Sequence, residues 1–454
     1  MTVGTTPAVR RWHAPLAIVA GALERDVLLE AEGDRFRAVT PGIADPPADA
    51  ERLRGLTMPG LANAHSHAFH RALRGRTETG RGTFWTWREQ MYALAATLTP
   101  AICLALARAT YAEMALAGMT CVGEFHYLHH DPEGRPYADA NVMGRALLQA
   151  AEEAGIRITL LDTCYLAGGF GVPPEGAQRR FSDGDADRWA ARVDDLGAPA
   201  HARIGAALHS VRAVPAEQMG TVVAWAARRA CPLHVHLSEQ RVENEECERE
   251  HGRSPTRLLG DRGVLAARTT AVHATHVDPA DVEALGSAGV TACLCPTTER
   301  DLADGIGPGR PLAAAGCPLA LGSDGHFVID GFEEARALEL DERLRTEQRG
   351  HWTAAELFDA ASGAGHRALG WGDAGRLAPG QLADLVTVRL DGPRLAGAGP
   401  AFALEAVLFG ATAGDVDRVV VGGRDVVRAG RHLLLDDVGA ALEQAVAAAW
   451  EETR

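Results

Sequence analysis

Two imidazoles, His65 and His67, close an apolar run, Met58-Pro59-Gly60-Leu61-Ala62-Asn63-Ala64, that reads as a buried strand. Residues i and i+2 of a strand face the same way, so both rings can reach one metal ion while Ser66 points elsewhere. An isolated His-x-His is as often a pair of surface histidines. Here three further apolar runs end in side chains of the same kind: His234-Val235-His236-Leu237-Ser238-Glu239, His273 after Thr270-Ala271-Val272, and Gly322-Ser323-Asp324-Gly325-His326. His65, His67, His236 and Asp324 together offer three neutral nitrogens and one carboxylate, a donor set suited to zinc or a similar divalent ion. Such an ion lowers the pKa of bound water to roughly 7 and makes hydroxide available at neutral pH. Glu239, three residues past His236, could shuttle protons between that water and a leaving nitrogen; the alternative is a carboxylate that only stabilises a helix N-terminus. His273 could hold or polarise the attacking water, though alone it would read as a core histidine bonded to backbone. His234 and His276 read as supporting or structural, and His129, His130 and His251 as solvated loop or helix residues.

Side chains at so many strand ends need an architecture that gathers those ends. β-rich runs at 58 to 65, 119 to 127, 156 to 165, 203 to 212, 232 to 239, 269 to 276, 289 to 296 and 317 to 324 alternate with longer Ala/Leu-rich amphipathic stretches. Strand-then-helix units of this kind, over about 310 residues, predict a closed (β/α)8 TIM-type barrel in the α/β class. An open doubly wound sheet is the runner-up, but it would collect ligands at one switch point, whereas polar chemistry here recurs at the ends of strands one, two, four, five, six and eight. The barrel is expected over residues 58 to 371. Residues 1 to 57 and 372 to 454 carry short strand-like runs, such as Asp384 to Val388 and Arg418 to Arg424, and are expected to pair as one small β sandwich with a closing helix from Val438 to Trp450. Pro41 to Pro47 and Gly392 to Pro400 read as loops.

Composition narrows the function. The chain of 454 residues is 46% hydrophobic and carries a formal net charge of -15, which argues against nucleic-acid or anionic-membrane partners while leaving room for an anionic small molecule met by local arginines. No apolar run approaches the ~20 residues of a membrane span. Ala14 to Leu23, behind Arg10 and Arg11, imitates a secretory signal but runs into Glu24-Arg25-Asp26 and a strand-like Val27-Leu28-Leu29, so it is expected in the β domain. The eight cysteines lack a Cys-x-x-Cys and sit mostly in apolar runs, as reduced core thiols of a cytoplasmic protein do. The chain contains no lysine. That excludes a Schiff-base lysine, a phosphate-loop lysine and a lysine-derived metal bridge.

The segment Met58 to His67, His236, His273, Gly322-Ser323-Asp324 and the return segment Gly375 to Leu385 resemble the amidohydrolase superfamily, over essentially the whole chain. The resemblance implies a barrel with a flanking β sandwich, a homodimer, and hydrolysis at carbon bonded to nitrogen. Many members hold two metals bridged by a carboxylated lysine on strand four. With no lysine, and a fourth strand ending Leu208-His209-Ser210-Val211-Arg212, this chain is expected to bind one divalent ion, zinc. It is most similar to the formimidoylglutamate deiminases, through His65 to Phe69, Thr83 to Tyr92 (with Trp85-Thr86-Trp87-Arg88), Gly123 to Asp131 and His209 to Val214. That likeness implies that Arg88, Tyr127, His209 and Arg212 line the substrate pocket, and arginine suits a dicarboxylate because its fork binds carboxylate bidentately. Surface salt bridging is the alternative for both arginines. His70 stands where the family often has glutamine and could still donate a hydrogen bond to substrate. The implied reaction converts N-formimino-L-glutamate and water to N-formyl-L-glutamate and ammonia: Asp324 and His273 orient and deprotonate the water, and Glu239 delivers protons to the departing nitrogen. A deaminase of a guanine- or adenosine-like ring is the rival, and would call for an aromatic slot instead of paired arginines. A non-catalytic scaffold would have lost a ligand or Glu239.

Overall fold

The structure is a computed structural model that describes residues 9–451. Eight parallel strands follow one another in sequential order around one sheet: Leu61–Ser66, Met119–His126, Arg157–Cys164, Ala202–Leu208, Leu233–Leu237, Thr269–His273, Thr291–Leu294 and Leu319–Leu321. They are buried almost throughout, with helices on the outer face, which is why their sequences run apolar without the alternation of a half-exposed sheet. The sheet closes on itself. Asp324 N–H donates to the His65 carbonyl at 3.1 Å and His67 N–H to the Asp324 carbonyl at 3.4 Å, with Ser66 and Asp324 as bridge partners. A side chain at Gly322 would block this closure, because its Cβ would lie 2.7 Å from His65 Cβ. The expected (β/α)8 barrel is therefore the fold.

The run expected at 58 to 65 is two strands. Leu56–Pro59 belongs to a second sheet, and the chain crosses into the barrel at Gly60, where a Cβ would lie 2.2 Å from Thr120 Oγ1. That second sheet, nine-stranded and mixed, interleaves both chain ends. Leu385–Val388 pairs antiparallel with Leu56–Pro59, which pairs parallel with Val9–Val19. The stretch that imitates a signal sequence forms the inner arms of a hairpin between Val9–Val19 and Ala22–Glu32. Its two-residue turn, Ala20-Gly21, has φ of 51 and 82 degrees, the left-handed pair that a tight hairpin with native twist requires. The closing helix, Val438–Glu451, packs on the barrel helix Pro100–Leu116 and receives Thr97 Oγ1 on the Ala449 carbonyl at 2.8 Å. All eight cysteines are free and buried, and no helix among the described residues is long and apolar enough to cross a membrane.

One ion pair ties the two sheets. Arg157, at the start of the third barrel strand, donates to both oxygens of Asp384, at 2.7 and 3.0 Å, and Gly422 N–H adds a third bond at 2.6 Å. The two side chains are 7% and 1% exposed. Removing one partner leaves a buried, uncompensated charge, so Arg157→Met should lower stability by about 3 to 5 kcal/mol in urea denaturation. The double change Arg157→Met with Asp384→Leu should recover much of that loss, since the orphaned carboxylate goes with it.

Candidate active site

The closure sets the centre of the site. His65 and His67 leave the first strand on one face, Asp324 follows the eighth, and His236 rises from the fifth, so that one ligand atom from each lies within 4.8 Å of the others. Asp324 Oδ1 is 3.2 Å from His65 Nε2 and 3.4 Å from His67 Nε2, and the Nε2 atoms of His65 and His236 are 3.1 Å apart. The rings are oriented from behind. His67 Nδ1–H donates to the Phe125 carbonyl at 2.9 Å and His236 Nδ1–H to the His209 carbonyl at 3.0 Å, which leaves the Nε2 lone pairs facing the cluster. Burial, reinforced by neighbouring imidazoles, holds His67 and His236 well below the ordinary histidine pKa and keeps them neutral. Burial alone would raise Asp324, but His65 and His273 outweigh it and hold the carboxylate well below its usual range. Three converging imidazoles and a carboxylate make a site that could hold a divalent metal ion.

The acid/base candidates stand beside this cluster. Glu239 precedes the helix Arg241–His251, yet the carboxylate that serves its N-terminus is Glu243, which accepts from Ser238 N–H at 2.8 Å. Glu239 faces the cavity instead, 3.9 Å from His273 Nε2, and burial pushes its pKa up to about 6 against the pull of His273. His273 Nδ1 lies 3.4 Å from Glu299, and the carboxylates of Glu239, Glu299 and Asp324 raise its pKa well above the ordinary value despite burial. Glu299 also accepts from Cys295 N–H at 2.9 Å. Asp304, which burial pushes up to about 9, accepts from Gln240, the neighbour of Glu239. Neither Glu299 nor Asp304 stood out in the sequence, since a lone acid opening a helix or in a loop carries no spacing signal. Left-handed backbone gathers at the same strand ends, at Ser238, His273, Ala274, Asp324 and His326. Such strain persists where surrounding structure holds it, commonly at functional sites.

A cavity of about 70 Å³ covers the cluster and adjoins a wider mouth of about 320 Å³. His67, His236, Asp324, Glu239 and His273 line it, together with all five residues assigned to substrate: His70, Arg88, Tyr127, His209 and Arg212. His65 is fully buried behind them. His70 Nε2 is 3.2 Å from the Tyr127 hydroxyl, and burial lowers His70 to about 4, so the pair is neutral. His209 sits against Tyr127 and Tyr165, with ring centroids 5.5 and 4.7 Å away. Arg212 uses Nε on Glu243 at 2.8 Å, and its Nη groups bond to nothing among the described residues. Arg88 has no carboxylate partner among the described residues and lies over Trp85 at 4.5 Å. Tyr165, Gln178 and Phe181 were not among the residues expected at the site. Tyr165 follows the third strand directly and could have been found there, whereas Gln178 and Phe181 lie in a short 3-10 helix within an aperiodic connection.

His129 and His130, expected in solvent, are 1% and 3% exposed. Both backbone N–H groups donate to the Arg180 carbonyl at 3.0 Å, and the rings reach the Thr163 carbonyl and Asp183. A buried network of Asp162, Asp183 and Arg192 supplies polar partners that a local reading of the sequence does not reveal. His126, His129 and Asp162 also lie within metal-ligand distance of one another, but both Asp162 oxygens are taken by Arg192 and one also by Trp189. His234 bonds the Ala368 carbonyl at 3.1 Å, the structural role expected of it, and His251 is exposed.

A (β/α)8 barrel with a metal-type cluster, an acid/base carboxyl and a cavity at its strand ends defines a metal-dependent hydrolase acting on carbon–nitrogen bonds. The chain belongs to the amidohydrolase family, whose sequence signature matches residues 56–426. A formimidoylglutamate deiminase of Pseudomonas aeruginosa is 40% identical over 435 residues, covering 92% of this chain and 95% of its own. An 8-oxoguanine deaminase of the same organism is 33% identical over 428 residues, covering 91% and 93%. A crystal structure of an amidohydrolase from Brucella melitensis superposes with a TM-score of 0.89 at 34% identity, covering 97% of this chain and 99% of that one. His65→Ala and His236→Ala should each empty the metal site while the barrel still melts cooperatively. Elemental analysis beside a thermal scan checks this, and undiminished metal in both variants would put the ion elsewhere.

Proposed function

We propose that this deaminase-type amidohydrolase converts N-formimino-L-glutamate and water to N-formyl-L-glutamate and ammonia, with one zinc ion held by His65, His67, His236 and Asp324. The observation that carries the reading is a pair of guanidinium groups, Arg88 and Arg212, with hydrogen-bonding capacity to spare on the wall of the cavity that covers the cluster. A substrate with two carboxylates matches them, and the similarity to the Pseudomonas formimidoylglutamate deiminase supports the match. The similarity to a purine deaminase favours a ring substrate instead. A neutral ring would leave Arg88 without a charged partner and the Nη groups of Arg212 without an acceptor.

The donor set fits the ion, because hydrogen bonds from Nδ1 turn the Nε2 lone pairs of His67 and His236 toward Asp324. When bound, zinc lowers the pKa of water to roughly 7 and polarises the amidine carbon. Asp324, held as a carboxylate, would accept a proton from that water, and His273, kept protonated by Glu239, Glu299 and Asp324, would orient it as a hydrogen-bond donor. Glu239, with its pKa near 6, holds a proton within reach of the amidine nitrogen and passes it on, so that the carbon–nitrogen bond breaks with ammonia as the leaving group. Arg88 and Arg212 hold the carboxylates, while Tyr127, hydrogen-bonded to His70 and edge-on to His209, lines the cavity between them and the cluster.

Zinc-loaded protein should release ammonia from N-formimino-L-glutamate faster than from guanine or adenosine, and Glu239→Gln should lower turnover by at least ~100-fold with metal content unchanged. Faster release from either purine would sink the substrate assignment. Arg88→Met and Arg212→Met should each cost about 2 to 4 kcal/mol in kcat/KM. Arg88→Met is the cleaner of the two, as no carboxylate is orphaned by it, and the slow hydrolysis of formamidine should respond to neither change.

A further inference from the structure

The connection after the third barrel strand brings an amide against two phenols at the cavity wall. Gln178 Nε2 lies 3.1 Å from the Tyr92 hydroxyl and 3.0 Å from that of Tyr165, and both tyrosines line the cavity. The orientation of the amide is set from its other side, because Gln178 Oε1 accepts from Glu175 N–H at 3.1 Å. The NH2 group must therefore face the phenols, one hydrogen to each, and both phenol oxygens act as acceptors. Their own hydrogens have no acceptor outside the pair among the described residues, and even with one phenol donating to the other, one hydrogen is left for the cavity. Tyr165 is 5% exposed, and burial followed by the neighbouring Tyr92 raises its pKa, so the hydroxyl keeps its proton.

The arginines flank this pair. Tyr92 is four residues after Arg88 on the helix Phe84–Thr97, on the same face, with the guanidinium 5.7 Å from its ring. Arg212 lines the same cavity and its charge acts on Tyr165. The amide is firmly seated: Arg180, two residues on, donates to the Leu98 carbonyl at 2.6 Å and to those of Ala95 and His130, and Phe181 packs on Tyr127 and Tyr165 with ring centroids 4.9 and 5.2 Å apart. We propose that Gln178 is a specificity-determining positioning residue, which fixes Tyr92 and Tyr165 as hydrogen-bond donors to a substrate carboxylate between Arg88 and Arg212. The proposal rests on the dicarboxylate reading and adds to it a neutral donor pair that accepts carboxylates and disfavours groups offering only donors.

The test uses zinc-loaded protein with N-formimino-L-glutamate for turnover, and glutarate, which offers carboxylates without an amidine, for direct binding by calorimetry. The variant Tyr92→Phe/Tyr165→Phe should bind glutarate about 10-fold or more weaker than the parent, as expected when hydrogen bonds to a charged group are lost. Gln178→Glu is nearly isosteric but accepts from both phenols and turns their hydrogens away, so it should weaken glutarate binding at least as much. In turnover, both variants should raise KM by a similar factor with kcat within about 3-fold and metal content unchanged, since the contact is remote from the reacting carbon. A merely structural role would lower kcat, metal content and melting temperature instead. Unaltered glutarate affinity in the double phenylalanine variant, or no glutarate binding by the parent, would overturn the proposal. Parent protein that binds glutarate but leaves N-formimino-L-glutamate intact would defeat the proposed reaction and leave the donor pair to be judged by glutarate alone.

Discussion

Everything catalytic in this molecule depends on the seam where the first and eighth barrel strands meet. In an open sheet of eight strands spaced ~4.8 Å apart, the two edges would be roughly 34 Å from each other. The backbone bonds between Asp324 and the His65–His67 segment remove that separation and bring a carboxylate to 3.2 and 3.4 Å from two imidazoles. Gly322 is needed at the seam for steric reasons, and the left-handed backbone at Asp324 and His326 is held in place by it. The second sheet reinforces the arrangement from outside. Leu56–Pro59 is a strand of that sheet and leads through Gly60 directly into the strand that bears the histidines, so the two chain ends anchor the entry to the active site.

Burial then decides the protonation states. The imidazoles that bond backbone carbonyls are held neutral, as metal ligands must be, while His273, surrounded by three carboxylates, is driven the other way. Glu239 is balanced between desolvation and the charge of His273, and its pKa of about 6 is close to the pH at which a proton carrier works well. Histidines on adjacent strands thus acquire opposite chemistry from their surroundings alone.

Further elements surround the barrel mouth. The helix Phe84–Thr97 brings Arg88 and Tyr92, and the 3-10 helix Gly176–Phe181 is clamped to the end of that helix through Arg180, whose guanidinium satisfies carbonyls at the helix C-terminus. The wall of arginine and tyrosine side chains is therefore assembled from segments remote in sequence: Arg88 and Tyr92 on one helix, Tyr165 and Arg212 after the third and fourth barrel strands, with Gln178 bridging the two phenols. The metal-type cluster and the arginines of the wall share one cavity but stand on different strand ends and connections. This division lets one barrel serve deaminases of different substrates.

The strand-end motifs were legible from sequence because they follow from local geometry: period two on a strand puts His65 and His67 on one side, and an apolar run followed by polar residues marks a strand's exit. The barrel, the four-residue cluster, Glu239, His273 and the two arginines could all be located from such patterns and from resemblance. Other features depend on which distant segments meet. His129 and His130 looked solvated beside Asp131-Pro132, yet the chain folds them onto Arg180 and Asp183 from another connection. Glu243 rather than Glu239 took the helix N-terminus, a choice set by which carboxylate reaches Ser238 N–H. The division of the run at Gly60 between two sheets was invisible for the same reason, since only the presence of Thr120 excludes a side chain there. The sequence by itself thus determined which residues could do chemistry and on which strands they stand; the tertiary structure alone decided protonation, hydrogen-bond direction and partnership, because these depend on burial and on contacts between segments remote along the chain.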